Sequence, residues 1–158
     1  TRIHIPEDMT SGELFTTLMN PAAELAVSTC KDLLSGNVIA LPQHHELATP
    51  APKLFRQTCK IDWRKPSKSI VNLIRGSNPK PGAWTVFNGK PLKILKACSG
   101  DPSLLIEPSS FMINEQGFFI GTSDGNLSLL YIQEEGKAAM NVTDFLRGYR
   151  GFKEGVCS

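Results

Sequence analysis

The side chains in this 158-residue chain with the clearest chemical role are its lysines and arginines. Between Lys53 and Lys96 there are eleven of them and one acid, Asp62, so this basic segment has a formal charge of +10. The other six Lys or Arg and fourteen acids give the rest of the chain a charge of −8. Such segregation suits a polyanionic partner, because Lys and Arg neutralise phosphates. The alternative is a solvated lysine-rich surface that binds nothing, and charge alone leaves both open.

Two tryptophans, Trp63 and Trp84, lie within the basic segment. Tryptophan can stack on an unpaired base, but beside an apolar helix or in a barrel strand it is more often part of the core. We therefore expect phosphate contacts to dominate any nucleic-acid binding. In an ideal strand, Lys90 and Lys96 share a face and Lys93 is offset from both, so the three lysines do not form one stripe.

The remaining reactive side chains form no catalytic or metal-binding pattern. The four cysteines are Cys30, Cys59, Cys98 and Cys157. They lack Cys-x-x-Cys spacing, so a zinc site is not expected and free thiols are the default. His44 and His45 are adjacent in a proline-rich stretch, which favours a surface pair over a metal site. We find no Gly-rich phosphate loop and no nucleophile beside a base.

The residues before the basic segment predict two helices. Thr10 and Glu13 form a capping box that begins the first helix. Asn20-Pro21 is interpreted as the start of the second, since Asn caps helices and Pro fits their first position. Gly36 is expected to end it. Little in the chain can cover the apolar stripe of these helices, which favours an incomplete α/β domain over a free-standing helical one.

Short extended segments flank the predicted helices. Thr1–Ile5 alternates like an edge strand whose partners are missing, and Val38–Leu41 is a short strand or extended stretch. Residues 42–60, with three prolines, are interpreted as a connector laid along a surface. No apolar run reaches the ~18 residues of a membrane span, and no signal peptide is recognised, so we expect a cytoplasmic protein without membrane association.

From residue 61 onward the sequence predicts a small antiparallel β-barrel. Pro66 opens a short helix, and Asn78–Gly82 ends it. Asn88-Gly89 predicts a hairpin with a type I′ turn. Three further short strands follow with turns between them, and closure of so small a sheet removes its edges. A last helix beginning at Asn141 is expected to cover one barrel end. The predicted fold class is α+β, mainly β.

Three separated stretches carry a resemblance to a known family. They read HIPEDMTSGELFTTLMNPAAEL, then IDWRKP with NLIRGSNPKPGAW and NGKPLKILKA, then GFFIGTSDGNLSLLYIQEEGKAAMNVTDFLRGYR. In this order they resemble the C-terminal half of the methionyl-tRNA formyltransferase family. The resemblance implies that residues 1–41 are the tail of a Rossmann-like formyltransferase domain and 42–60 the connector. Residues 61–158 would be the OB-like C-terminal β-barrel, which helps to hold the initiator tRNA.

The resemblance also implies a reaction, in which a formyl group passes from 10-formyltetrahydrofolate to the amino group of initiator Met-tRNA. The family's catalytic Asn, His and Asp belong to an Asn-x-His-x-Ser run followed by Leu-Pro, which this sequence lacks. We expect the isolated chain to be inactive, to bind no cofactor or metal, and to be a monomer. The cations expected to contact tRNA are Lys53, Arg56, Lys60, Arg64, Lys65, Lys68, Lys90, Lys93 and Arg147. Arg147 and Arg150 could equally cap carbonyls of the last helix.

Two other interpretations stay open. The DW…P and PGAW elements also fit the hydrolase part of 10-formyltetrahydrofolate dehydrogenase and the sugar-nucleotide formyltransferases. The ending DFLRGYR and the lysine-dense connector favour the tRNA enzyme. A stand-alone barrel that binds RNA non-specifically is the third interpretation, and the capped helices with their uncovered apolar stripe argue against it.

Overall fold

One long helix, α1 (Ser11–Leu34), is the main element at the start of the chain in the computed structural model, which describes residues 2–158. The capping box is confirmed: the Glu13 N–H donates to Thr10 Oγ1 at 3.3 Å, and the Thr10 N–H donates to the Glu13 carboxylate at 2.8 Å. Gly36 ends the helix as predicted, with a φ of 74°. Its N–H donates to the Leu33 carbonyl in a Schellman motif.

The predicted helix restart at Asn20-Pro21 is wrong, because α1 runs through Pro21 without a break. A proline inside a helix removes one i→i−4 hydrogen bond. Here the helix-forming residues Ala22 to Leu25 follow it directly, and the helix continues. None of the side chains of α1 is buried.

Among the described residues neither segment that flanks α1 forms a strand, so the predicted edge strand at Thr1–Ile5 is wrong, and of the two alternatives for Val38–Leu41 the strand is excluded. Residues 2–5 are irregular, Thr1 lies outside the described residues, and Val38–Leu41 is also irregular. The chain forms two compact units, of which the first is Thr1–Lys53. A strand needs a neighbour for its N–H and C=O groups, and the described residues of this unit contain no strand that could pair with either segment.

The second unit, Leu54–Ser158, is built on one curled antiparallel sheet. Its strands are β1 (Ala83–Phe87), β2 (Lys90–Ser99), β3 (Ser110–Asn114), β4 (Gly117–Thr122), β5 (Gly125–Glu134), β6 (Met140–Asn141) and β7 (Glu154–Val156). The order is β1-β2-β5-β4-β3-β7, and β6 pairs with β5. Val86 of β1 exchanges hydrogen bonds with Ser158, at 2.6 and 3.1 Å. The residues after β7 therefore join the two ends of the sheet.

Two helices pack against this sheet. Helix α2 (Ser67–Ser77) follows Pro66 as predicted and buries Ile70 and Ile74. Helix α3 (Val142–Gly148) places Phe145 against Phe118, with ring centroids 6.4 Å apart. The predicted last helix is formed, and Val142 and Phe145 of this helix are part of the core. The α+β, mainly β class is confirmed.

The hairpin turn and the position of Trp63 also agree with the sequence interpretation. Asn88 and Gly89 both have positive φ, 50° and 74°, as a type I′ turn requires. Trp63 is 2% exposed and donates its indole N–H to Thr85 Oγ1 at 3.0 Å. Trp63 is therefore a core residue with its one polar group satisfied.

Candidate nucleic-acid interface

The outer face of the β1–β2 hairpin carries a tryptophan and a lysine side by side. Trp84 and Lys93 are cross-strand partners, and the residues on either side of Trp84 are fully buried. Cross-strand partners on one face of an antiparallel pair have their Cβ atoms about 4.5–5.5 Å apart. A Cβ at Gly82 would lie 3.3 Å from Cδ of Lys93, so the glycine leaves room for the lysine stem. The φ of 83° at this position also favours glycine.

A bulge in β2 decides which other lysines share this face. The register shifts between Ile94 and Lys96, and both Ile94 and Leu95 are buried. The extra residue reverses the alternation, so Lys96 faces outward on the same side as Lys93, and Ala97 packs against the core.

The predicted arrangement of the β2 lysines is therefore wrong. Lys93 and Lys96 share a face, and Lys90 lies opposite the buried Phe87, at the inward-facing position of the strand. Lys90 is exposed because it is the first residue of β2, beside the turn. The ideal period of two fails here because Leu95 is an extra residue in β2 between Ile94 and Lys96.

Two cations from the segment before α2 also lie against the Trp84 ring. The Arg56 guanidinium carbon lies 5.2 Å and Lys60 Nζ lies 5.6 Å from the Trp84 ring centroid. The 3₁₀ turn Gln57–Cys59 separates the two cations and brings both to one indole. The backbone fixes this arrangement: the Trp84 indole N–H donates to the Arg56 carbonyl at 2.8 Å, and Lys60 forms a β-bridge with Trp84. We call Arg56, Lys60, Trp84 and Lys93 the Trp84 cluster.

Little negative charge opposes the Trp84 cluster. Glu135 reaches Arg56 at 4.0 Å, with both side chains about 60% exposed (58% and 63%). An exposed pair at that distance contributes little, roughly 0–1 kcal/mol. Across residues 2–158, neither Lys60 nor Lys93 forms an ion pair. The cluster therefore keeps the positive potential that a phosphate-binding surface needs.

The start of α2 holds three other predicted cations, Arg64, Lys65 and Lys68, in a different electrostatic setting. We call them the α2 group. The Arg64 guanidinium binds the Asp62 carboxylate at 2.9 Å. The side-chain hydrogen bond from Arg64 lowers the pKa of Asp62 below its ordinary value, so this carboxylate stays ionised beside the arginine.

A second carboxylate, from the β4–β5 turn, lies at the first residue of α2, next to the α2 group in sequence. Asp124 Oδ1 accepts the Ser67 N–H at 2.7 Å and the Thr122 hydroxyl at 3.1 Å. The hydrogen bonds from Ser67, first that of its backbone N–H, lower the pKa of Asp124. Helix N-termini attract anions, and here a carboxylate of the protein already fills that role. A phosphate is less favoured beside α2 than beside Trp84.

The C-terminal cations, Arg147 and Arg150, are engaged with their own segment. Arg147 pairs with Asp144 at 2.7 Å, one turn back in α3. Arg150 Nη1 donates to the Arg147 carbonyl at 3.1 Å, so it caps the end of α3. The sequence left two roles open for Arg150, contact with tRNA and capping of the last helix, and the structure shows the capping contact. Lys53, the last predicted cation, is exposed at the end of the first unit.

Of the nine cations predicted from the sequence, the structure brings three together around Trp84. The sequence interpretation missed Trp84 as their common contact and placed Lys96 on the wrong face. One signal was present for the second point: Ile94 and Leu95 are consecutive apolar residues in an otherwise alternating strand, as a bulge requires. The ring contacts of Arg56 and Lys60 had no such local signal.

The groups considered for catalysis remain dispersed. His4, His44 and His45 are all exposed, and His44 Nδ1 lies 3.0 Å from Glu46. In residues 2–158 no cluster of three or more His, Cys, Asp or Glu side chains is suited to hold a metal ion. All four cysteines are free, and burial raises the pKa of Cys157 to about 12, which keeps it a neutral thiol. No helix among the described residues is long and apolar enough to cross a lipid bilayer.

The family profile and the curated relatives agree on one family. The profile described as formyl transferase, C-terminal domain, matches residues 53–150. The chain is 38% identical over 154 residues to a methionyl-tRNA formyltransferase of Carboxydothermus hydrogenoformans, covering 94% of the chain and 49% of that protein. A methionyl-tRNA formyltransferase of Chlamydia pneumoniae is also 38% identical, with the same coverage of 94% and 49%. The chain thus spans about half the length of the curated relatives it matches.

Solved structures agree on the fold. A crystal structure of HypX from Aquifex aeolicus superposes with a TM-score of 0.67 at 17% identity, covering 92% of this chain and 27% of HypX. HypX in complex with tetrahydrofolic acid gives a TM-score of 0.58 at 20% identity, covering 79% of this chain and 22% of HypX. At such identities the likeness concerns the fold alone. With the profile match over most of the sheet unit, the chain belongs to the formyl transferase C-terminal domain family and corresponds to the C-terminal part of methionyl-tRNA formyltransferases.

Proposed function

We propose that this chain is the tRNA-binding C-terminal part of a methionyl-tRNA formyltransferase. The whole enzyme would transfer a formyl group from 10-formyltetrahydrofolate to the amino group of initiator Met-tRNA in the cytoplasm. The observation that carries the binding role is the Trp84 cluster, where Arg56 and Lys60 lie at 5.2 and 5.6 Å from one indole, with Lys93 on the adjacent strand. The names of the curated relatives support the substrate.

The binding mode that this surface supports is contact with the phosphate backbone. Phosphate contacts fix the position of a nucleic acid without reading its bases. The Trp84 cluster offers three cations, and the bulge in β2 adds Lys96 on the same face, opposite Tyr131. Arg64, Lys65, Lys68, Lys90, Arg147 and Lys53 are secondary contacts in this proposal. Sequence-specific recognition of the initiator would come from the other half of the enzyme.

The chain would take no part in the chemical step. Formyl transfer needs a group that polarises the formyl carbonyl and a base that accepts the amine proton. The three histidines are exposed, His44 lies 3.0 Å from the Glu46 carboxylate, and Asp124 is engaged by Ser67. These residues do not fit a folate site, and no step of the reaction is assigned to them.

The proposed organisation follows the resemblance. Residues 1–41 would be the tail of the formyltransferase domain, with α1 as its last helix, and 42–60 the connector. Residues 61–158 would be the tRNA-binding barrel domain. In a full-length enzyme the exposed apolar side chains of α1, such as Phe15 and Leu33, would be covered by the rest of that domain.

The test is a titration of fluorescently labelled initiator tRNA with the 158-residue chain at several salt concentrations. We expect log K to fall linearly with log salt, with a slope of about −0.7 to −0.9 for each phosphate neutralised. Elongator tRNA should bind with a similar slope and affinity, because backbone contacts carry little sequence information. In a single-turnover assay with 10-formyltetrahydrofolate and Met-tRNA, the chain should form no product above the enzyme-free rate. A slope near zero would refute the binding role.

A further inference from the structure

The surroundings of the Trp84 indole differ from those of a core tryptophan and from those of a tryptophan that is free to stack on a base. It is half-buried on the outer face, and two cations lie within 6 Å of its ring centroid. Its N–H is occupied by the Arg56 carbonyl at 2.8 Å. A base that stacked on this ring would compete with the Arg56 and Lys60 side chains for its π surface.

In the free protein, the two cations beside Trp84 repel each other, and a bound anion would relieve this repulsion. Arg56 and Lys60 carry like charges beside one ring and repel each other. Among the described residues, the carboxylate that pairs with one of them is Glu135, 4.0 Å from Arg56. The ring quadrupole attracts both cations and offsets part of this repulsion. A phosphate that contacts both side chains would neutralise both charges.

The backbone makes the arrangement rigid. The turn Gln57–Cys59 is anchored by the fully buried Cys59, and the bridge between Lys60 and Trp84 ties the end of the turn to β1. The Ile61 N–H donates to the Trp84 carbonyl at 2.8 Å, directly after this bridge. Cations held in this way lose less side-chain freedom when they bind than free lysines and arginines would.

We infer that Trp84 is a positioning residue for phosphate binding: it holds Arg56 and Lys60 as a preformed site for an RNA phosphodiester and does not stack on a base. This inference rests on the proposed tRNA-binding function and adds how its central site is organised. Trp84 carries no charge, yet its loss should reduce the ionic component of binding. Base stacking would contribute a salt-independent component instead.

A double-mutant cycle separates the two roles. The variants are Trp84→Leu, Arg56→Ala/Lys60→Ala, and all three changes together, each titrated with labelled initiator tRNA at several salt concentrations. We expect Trp84→Leu alone to flatten the slope by about 0.7 to 1.8, the equivalent of one to two phosphates. In the Arg56→Ala/Lys60→Ala background the same change should alter neither slope nor affinity, because Trp84 acts through the two cations.

Trp84→Phe is the conservative variant. Phenylalanine keeps an aromatic face for the cations but lacks the N–H that binds the Arg56 carbonyl, so this variant should retain most of the wild-type slope. Folding of Trp84→Leu is checked directly, because Trp63 becomes its only tryptophan and its 2% exposure predicts a blue-shifted emission in the folded protein. If Trp84→Leu does not fold, Trp84→Phe and Trp84→Tyr complete the cycle. The salt slope must then be steepest for the side chain whose ring attracts cations most strongly.

Two results would overturn the inference while leaving the proposed function intact. One is an equal loss of affinity on Trp84→Leu in both backgrounds with unchanged slopes, which is the result for base stacking. The other is salt-dependent binding by the wild type that Trp84→Leu does not change. A wild-type slope near zero would instead remove the proposed function itself and this inference with it.

Discussion

The Trp84 cluster and the α2 group each contain three cations that the sequence predicted as phosphate contacts, and they differ in what surrounds those cations. Around Trp84 the neighbours are an aromatic ring and one distant carboxylate, Glu135. At the start of α2, Asp62 binds Arg64 at 2.9 Å and Asp124 accepts the Ser67 N–H at 2.7 Å. Equal charge density along a sequence therefore gives unequal electrostatic surfaces.

The difference between the two surfaces arises from contacts that are local in sequence and from others that span many residues. Asp62 is two residues from Arg64 and visible in the sequence, but Asp124 reaches Ser67 across 57 residues. Trp84 likewise reaches Arg56 across 28 residues. The charge of a surface is decided by which side chains the fold brings to it, and only part of that set is local.

The largest expected effect comes from removing the three cations of the Trp84 cluster. Arg56→Ala/Lys60→Ala/Lys93→Ala should flatten the salt slope of tRNA binding by about two to three units, since each lost phosphate contact contributes about 0.7 to 0.9. The measurement is the log K against log salt plot of the labelled-tRNA titration, with circular dichroism to confirm the fold.

The matched control removes the same net charge from the α2 group. Arg64→Ala/Lys65→Ala/Lys68→Ala should flatten the slope by about one unit or less, because Asp62 already binds Arg64 and the Asp124 carboxylate already occupies the start of α2. Equal effects of the two triple variants would show that the carboxylates beside α2 do not matter, and the comparison between the two regions would fail.

A smaller effect tests the bulge in β2. Lys96→Ala should flatten the slope by about 0.7 to 0.9, one phosphate contact, because the bulge places Lys96 on the outer face with Lys93. Lys90→Ala, a change of the same type in the same strand, should have little effect, since Lys90 lies at the inward-facing position opposite Phe87. The opposite ranking of the two variants would contradict the assignment of Lys96 to the binding face.

The parts of the fold that the sequence predicted correctly are specified by local residues. The capping box at Thr10, the α2 boundaries at Pro66 and Asn78, and the Asn88-Gly89 turn each depend on a few adjacent side chains. Strand β7 was missed, because three residues carry no readable alternation, and its pairing with β3 is non-local. The continuous helix through Pro21 was missed because proline is compatible with a helix start and also with a bent interior.

The candidate site divides in the same way. The sequence identified Arg56, Lys60 and Lys93 as cations, and the Asn88-Gly89 turn sets the register that pairs Lys93 with Trp84. No local pattern indicates that Arg56 and Lys60 lie at the same ring. Contacts between a turn and a strand depend on how the whole sheet curls. The bulge at Ile94–Lys96 is intermediate: two consecutive apolar residues indicate it, yet the face of the following lysine depends on the register with β5.

The smallest expected effect concerns stability, and it tests whether Asp124 is ionised where it meets α2. Its pKa in the folded protein is lowered, first by the backbone hydrogen bond from Ser67. A group whose pKa falls on folding stabilises the protein above its unfolded value, about 3.9 for aspartate, and this contribution disappears as the pH falls through the folded pKa. Asp124→Asn should therefore lower the Tm slightly at pH 7, and the difference from wild type should shrink as the pH falls below about 4 and through the folded pKa. Glu115→Gln in the β3–β4 turn changes the net charge equally and serves as the control for that change in charge. If the Asp124→Asn difference were the same at pH 2 and pH 7, the side-chain geometry of Asp124, and not its charge, would hold the start of α2. The charge compensation that distinguishes the α2 group from the Trp84 cluster would then rest on Asp62 alone.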